Sequence, residues 1–364
     1  MNRGKTFLNQ LFIGLTMFGT LVGAGFASGK EIWFYFARFG NIAYFMIILT
    51  GLLFFLLSYV FFSFGKKYQI QTVQDCNSVI LGRFAIISEI VLIFSNLILL
   101  ASMFAGADSL FNIIIPNMPY RLAGVITSLI TFVVVCFGFK GITKTNMLIV
   151  PLLLLVVFVV LVAGLAGGGS AIMAQPLGFS SFFKSMFYAL LFVGSNMFFS
   201  GFIFSRMGKD YSKKEILGGS LIGSVFLTLG LLGITMALFA SPSLVNSDMP
   251  IVAISANINT TFGYAVLAIV WLGLITTAFA LLYTISNWLK AYFGKTILTT
   301  LLATIIAFFM SGIGFSSFIE IVYPMMGVLG FVFVLLIKIS EKRSKNIKNF
   351  KKEAKKRQIS DKIV

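Results

Sequence analysis

Between Met17 and Glu31 the chain reads Met-Phe-Gly-Thr-Leu-Val-Gly-Ala-Gly-Phe-Ala-Ser-Gly-Lys-Glu, with glycines at positions 19, 23, 25 and 29 of an otherwise apolar run. Each glycine weakens a helix by about 1 kcal/mol relative to alanine. Lipid offers no partners to backbone groups freed in this way, so an interruption at bilayer depth belongs where it lines a protein-enclosed cavity. Bare carbonyls there suit a cation, and the positive end of a resumed half-helix suits an anion. A second stretch of the same kind is Phe192-Val193-Gly194-Ser195-Asn196, followed by Ser200-Gly201, where polar side chains compete with the helix ladder. The competing reading of both is close packing of helices through small residues, Gly19 with Gly23 and Gly25 with Gly29 in the first. A phosphate loop would need Gly at Ala24 and Ser or Thr at Glu31, and the dinucleotide fingerprint fails at Ser28.

Other chemistry is excluded by composition. The chain has no histidine, which removes imidazole metal sites, serine-histidine triads and histidine proton relays. It also lacks a hydrolase nucleophile motif and paired intramembrane aspartates, so an enzyme is not expected. The intramembrane carboxylates are functional candidates by default. Glu89 is expected inside helix 3 near its cytoplasmic mouth, as a proton site or as an inner-gate partner of Arg83 or Lys5. Asp108 and Glu320 are the other proton candidates.

These residues sit in a chain of 364 residues that is 59% hydrophobic and 11% charged, with a mean hydropathy of +1.00. That composition belongs to an all-α polytopic membrane protein. Ten apolar runs are expected to span, at about 7–27, 41–64, 84–107, 121–139, 145–166, 182–205, 216–240, 263–288, 296–313 and 317–338. The broken segments Gly29–Phe39 and Ser241–Thr261 read as surface or re-entrant pieces. With both termini cytoplasmic, every one of the 28 basic residues except Lys30, Arg38, Arg121 and Lys184 falls inside. This asymmetry is the positive-inside rule. It turns a formal charge of +17 into a matter of topology and of a basic tail, residues 339–364, lying near anionic headgroups. Nucleic acid is not an expected partner, since the tail has no interleaved aromatics. Cys76 and Cys136 are expected to be reduced.

The offset from Gly19 to Gly194 is close to half the hydrophobic core. Two halves, 1–166 and 167–338, would then each open with a broken helix, as in inverted-repeat transporters. Gly19-Thr20-Leu21-Val22-Gly23-Ala24-Gly25 is similar to the unwound Gly-Asn-Ala-Val-Gly-Leu-Gly segment of sodium symporters. The string from Val22 to Ile32 resembles the signature of the YkvI-like bacterial membrane proteins, placed near the amino acid, polyamine and organocation (APC) permeases. The fold this implies is LeuT-like: about ten helices in a 5+5 inverted repeat with helices 1 and 6 broken.

The resemblance also implies a site. One sodium would be held by the carbonyls of Gly19, Val22 and Gly273 or Leu274 with the hydroxyls of Thr276 and Thr277, although Thr-Thr is also ordinary back-bonding in a membrane helix. Thr20 and Phe26 stand where the symporters carry asparagines for a second sodium, so one is expected. Substrate would lie between the breaks, its carboxylate on amides of Thr20, Leu21, Gly23, Ala24 and Gly25, its ammonium on Gly194, Ser195 and Asn196. Phe26, Phe192 and Phe198 are wall or lid positions. Lys30 and Glu320 would form an outer gate. The function so implied is a secondary transporter of amino acids or related small organic solutes in the cytoplasmic membrane, with sodium as coupling ion and no cofactor. Proton symport or exchange is the runner-up, and a non-transporting sensor or scaffold the reading of another class.

Overall fold

Segments that are apolar on every face have no side to turn toward water, and here they fold as long helices. The computed structural model describes residues 3–71, 73–82, 85–115, 118–137, 155, 159, 179–294 and 296–340, and among them every regular element is helical. Helix 1 runs Arg3–Leu21, lapses at Val22 and Gly23, and resumes as Ala24–Ser28 and Lys30–Tyr35. Helices 2, 3 and 4 are Ile42–Tyr68, Ala85–Ile114 and Leu122–Cys136. Helices 6, 7 and 8 are Phe179–Gly208, Lys213–Ala240 and Thr260–Phe293. Helix 9 is Thr296–Met310 and helix 10 is Phe315–Ser340. Short helices Val73–Leu81 and Pro250–Ile258 lie in the connections before helices 3 and 8. The expected helix 5 lies outside the described residues apart from Leu155 and Val159, as does the tail beyond Ser340. Helices 2, 3, 6, 7, 8 and 10 are each long and apolar enough to cross a membrane, and helices 4 and 9 are shorter apolar helices.

The helices pack in two groups. Helix 1 lies along helix 7, and helix 2 packs on helices 6 and 7; helices 3, 4, 8 and 9 pack on one another. Ala24–Ser28, the short piece after the lapse in helix 1, bridges the groups by packing on helix 8. Without a hydrophobic drive between helices in lipid, close approach of backbones is what holds such groups. Helices 2 and 6 show it: a side chain on Gly65 would strike the Ser205 carbonyl, and one on Gly208 the Phe62 carbonyl. Apolar side chains such as Phe45, Ile48, Leu52 and Leu56 of helix 2 face outward.

Two expectations need correction. The segment from Gly29 onward is not a surface piece. Lys30, Glu31, Ile32, Phe34 and Tyr35 are all buried, and they extend the first span. Gly29, with φ of +81°, supplies the left-handed turn that redirects the chain there, and a side chain at that position would strike Ile251. The second correction is that helix 6 is continuous through Gly194. Ser195 Oγ and Asn196 Nδ2 both donate to the Phe192 carbonyl, at 3.0 and 2.9 Å, so these polar groups return to their own helix. Gly194 serves a crossing instead: a side chain on it would strike the Gly327 carbonyl of helix 10, and one on Gly330 the Gly194 carbonyl.

Candidate functional site

The site is built around the one lapse in helix 1. Val22 N–H still donates to Phe18 at 2.8 Å, but Gly23 N–H reaches only the Leu21 carbonyl at 3.2 Å, and the ladder restarts with Ala27 N–H on the Gly23 carbonyl at 3.0 Å. Gly23 is extended, with φ of −92° and ψ of −174°, and a side chain there would meet nothing within 4 Å. The lapse therefore opens onto free space. Phe18 before it and Phe26 after it pack edge to face at 6.4 Å.

The two hydroxyls expected to bind a cation are on helix 8, and both bond within that helix. Thr276 Oγ1 donates to the carbonyls of Leu272 and Gly273 at 2.9 and 3.2 Å, and Thr277 Oγ1 to Gly273 at 2.8 Å. Their protons are engaged within helix 8, which leaves oxygen lone pairs as the groups a cation would use. Gly273 already accepts from both hydroxyls, which leaves Leu274 as the less encumbered of the two expected carbonyls. Thr20 Oγ1 likewise donates back to Thr16 at 2.7 Å. Leu21 and Val22 are buried, and Gly19 and Gly23 half-buried.

After the turn at Gly29 come two charged residues. Ser28 Oγ donates to the Gly25 carbonyl at 2.8 Å and accepts from Lys30 N–H at 3.1 Å, which holds the turn. Lys30, 7% exposed, points to Glu320, its Nζ 3.9 Å from the carboxylate on helix 10. Glu320 lies on a π-helical turn, Phe318–Val322, a local widening common at functional positions. Glu31 folds the other way, back onto the segment that follows the lapse, so that a side chain on Gly25 would collide with its carboxyl group. Around it stand Tyr35 of helix 1 and Tyr323 of helix 10, the latter within 3.1 Å of Ser102 Oγ on helix 3. Phe192 of helix 6 lies 5.4 Å from the Tyr35 ring. Phe199 lies 6.3 Å from Tyr323, and Phe198 adjoins it at 5.4 Å.

Glu31 is the residue that sequence reading passed over. Its signal is an acid two positions beyond the last glycine of the run, on a segment whose charges read as a surface or re-entrant piece. The other acids take different places. Glu89 accepts from Trp288 Nε1 of helix 8 at 3.2 Å, while Arg83 lies outside the described residues. Asp108 accepts from Gly124 N–H at 2.7 Å, joining helix 3 to helix 4. Near the N-terminus, Asn9 donates to Glu215 of helix 7 at 2.7 Å, and Glu215 caps that helix with Ser212. Among the described residues no cluster of acids or cysteines could hold a metal ion.

Two cavities flank this centre at opposite ends of the bundle. One, of about 350 Å³, lies between the first half of helix 1 and the end of helix 6, lined by Phe12, Thr16, Phe202 and Arg206 among others. The second, of about 330 Å³, lies at the far end of helix 3, lined by Asp108, Ser109, Arg121 and Asp248 among others.

A helix lapsed at bilayer depth, two interlocked four-helix groups and cavities toward both ends define the LeuT fold. No family model matches the chain. It is similar to the uncharacterized membrane protein YkvI of Bacillus subtilis (strain 168), with 26% identity over 355 residues, 94% of this chain and 99% of the relative. The uncharacterized protein YyaD of the same organism is 26% identical over 329 residues, covering 86% and 92%. Among solved structures, inward-facing Mhp1 superposes with a TM-score of 0.65 at 15% identity, covering 90% of this chain and 75% of that one. MhsT in complex with L-phenylalanine matches with a TM-score of 0.65 at 16% identity, covering 90% and 88%.

Proposed function

We propose that the chain is a secondary active transporter that moves amino acids or related small organic solutes across the cytoplasmic membrane by alternating access, with sodium as the coupling ion and both termini in the cytoplasm. The observation that carries this reading is the lapse at Val22 and Gly23, open on one side and held by its short continuation against helix 8. Irregular backbone is tolerated at this depth only where it serves a cavity. The LeuT-type fold supports it, as does the L-phenylalanine bound in the similarly folded MhsT. In this reading Thr276 and Thr277 would give sodium uncharged oxygens on helix 8, the helix on which Ala24–Ser28 packs, and Lys30 with Glu320 would close the end away from the N-terminus. The two halves, 1–166 and 167–338, are taken as the inverted repeat.

The test is uptake of a labelled amino-acid panel into proteoliposomes under imposed sodium or proton gradients. Accumulation under a sodium gradient, lost in Thr277→Ala, is the expected result. No accumulation under either gradient favours a sensor or scaffold, and accumulation insensitive to sodium in wild type and variant removes sodium from the account.

A further inference from the structure

We propose that Glu31 is the ionic anchor of the transport site and that the solute it takes carries an ammonium group. This rests on the transport reading above and names the substrate class. An ionised carboxylate taken out of water is costly unless it is paired, and one inside a membrane protein faces a partner or a pathway. Glu31 is 8% exposed, and among the described residues its carboxylate makes no hydrogen bond and no ion pair. The nearby cations are engaged elsewhere: Lys30 points to Glu320, and the Arg38 guanidinium lies over the rings of Phe34, Tyr188 and Phe39 at 4.0, 4.4 and 5.0 Å. Among the described residues no cation of the protein pairs with Glu31, which leaves its carboxylate open to a cationic solute.

The surroundings say what that partner is. Tyr35 is fully buried, and among the described residues its hydroxyl has no hydrogen-bond partner, an unmet polar group beside an unmet carboxylate. Both the Tyr35 and Tyr323 hydroxyls lie within electrostatic range of Glu31. Behind these two tyrosines stand further rings of helix 6, Phe192 against Tyr35 and Phe199 against Tyr323. Aromatic faces with one carboxylate form the chemistry that recognises an ammonium ion. A solute carboxylate aimed at Gly25 would meet Glu31 instead, like charge against like. The ammonium thus falls to Glu31 on helix 1 rather than to Ser195 and Asn196, which offer only neutral oxygens.

The experiment measures melting temperature and affinity of the purified full-length protein with choline, tyramine or putrescine, against 3-phenylpropionate and benzyl alcohol as ammonium-free controls. The amines are expected to stabilise the wild type and the controls not. Glu31→Gln should melt normally when unliganded yet bind the amines roughly thirtyfold or more weakly, the loss expected when one member of a buried charge pair is removed. Should that variant fail to fold, Glu31→Asp must still prefer amines over the controls. Equal binding of amines by wild type and Glu31→Gln, or stabilisation by the carboxylate alone, overturns the proposal. Amine binding that depends on Glu31 without uptake under any gradient keeps the anchor and removes the transport reading. Uptake of ammonium-free solutes that Glu31→Gln leaves unchanged does the reverse.

Discussion

Helices 1 and 6 carry nearly the same local chemistry, glycines beside small polar residues in an apolar run, and they fold differently. In helix 1, Gly23 has open space beside it and the ladder lapses. In helix 6, Gly194 is pressed against the backbone of helix 10, while Ser195 and Asn196 bond within the helix. A glycine in a membrane helix thus has two uses, and the neighbour decides between them. Where another backbone fills the space, the helix stays whole and packs closely. Where nothing fills it, the chain can leave the helix and present its backbone to a solute.

Substitutions at these positions would sharpen the contrast. Gly194→Ala should cost most, about 3 kcal/mol, because the added methyl meets a carbonyl of helix 10 that cannot rotate away; thermal melting in detergent reads the loss, and truncating Phe331 should not restore it. Gly25→Ala should cost less, about 1–2 kcal/mol, since it meets the flexible end of Glu31. Here Glu31→Ala in the same chain should restore the melting temperature without restoring solute binding. Equal behaviour of the two glycines, in size and in rescue, would collapse the distinction. Lys30→Glu should lose about 1 kcal/mol of closure, because Glu320 is half exposed and screened by solvent. Pairing it with Glu320→Lys should recover the uptake rate, and a swap no better than either single change would show that the two never meet. Ser195→Ala should matter least, about 0.5 kcal/mol, since it removes one bond inside an intact helix.

The helical membrane fold was legible because apolar length is written locally, and so was the lapse in helix 1, where glycines are dense enough to act by themselves. Lys30 and Glu320 could be paired in advance only through the family resemblance, since nothing along the sequence joins two charges so far apart. Helix 6 was misread as broken because the cause of its glycine, the backbone around Gly327 and Gly330, lies far along the chain. Glu31 was missed for a related reason. Charges beyond Gly29 argue for solvent when read along the sequence, and only the left-handed turn at Gly29 shows that this carboxyl folds back to Gly25.

The central claim, a solute-accessible lapse in helix 1 and none in helix 6, is open to one direct measurement. Gly23→Cys fits without a clash, and Ser195→Cys puts the same thiol in helix 6. Cys76 makes a quiet background, being buried with its thiol pushed up to about 12, and Cys136 is replaced by serine. In proteoliposomes a small cationic thiol reagent should label Gly23→Cys far faster than Ser195→Cys and abolish uptake as it does so. Equal labelling of the two positions, or an unreactive Gly23→Cys, would contradict the account.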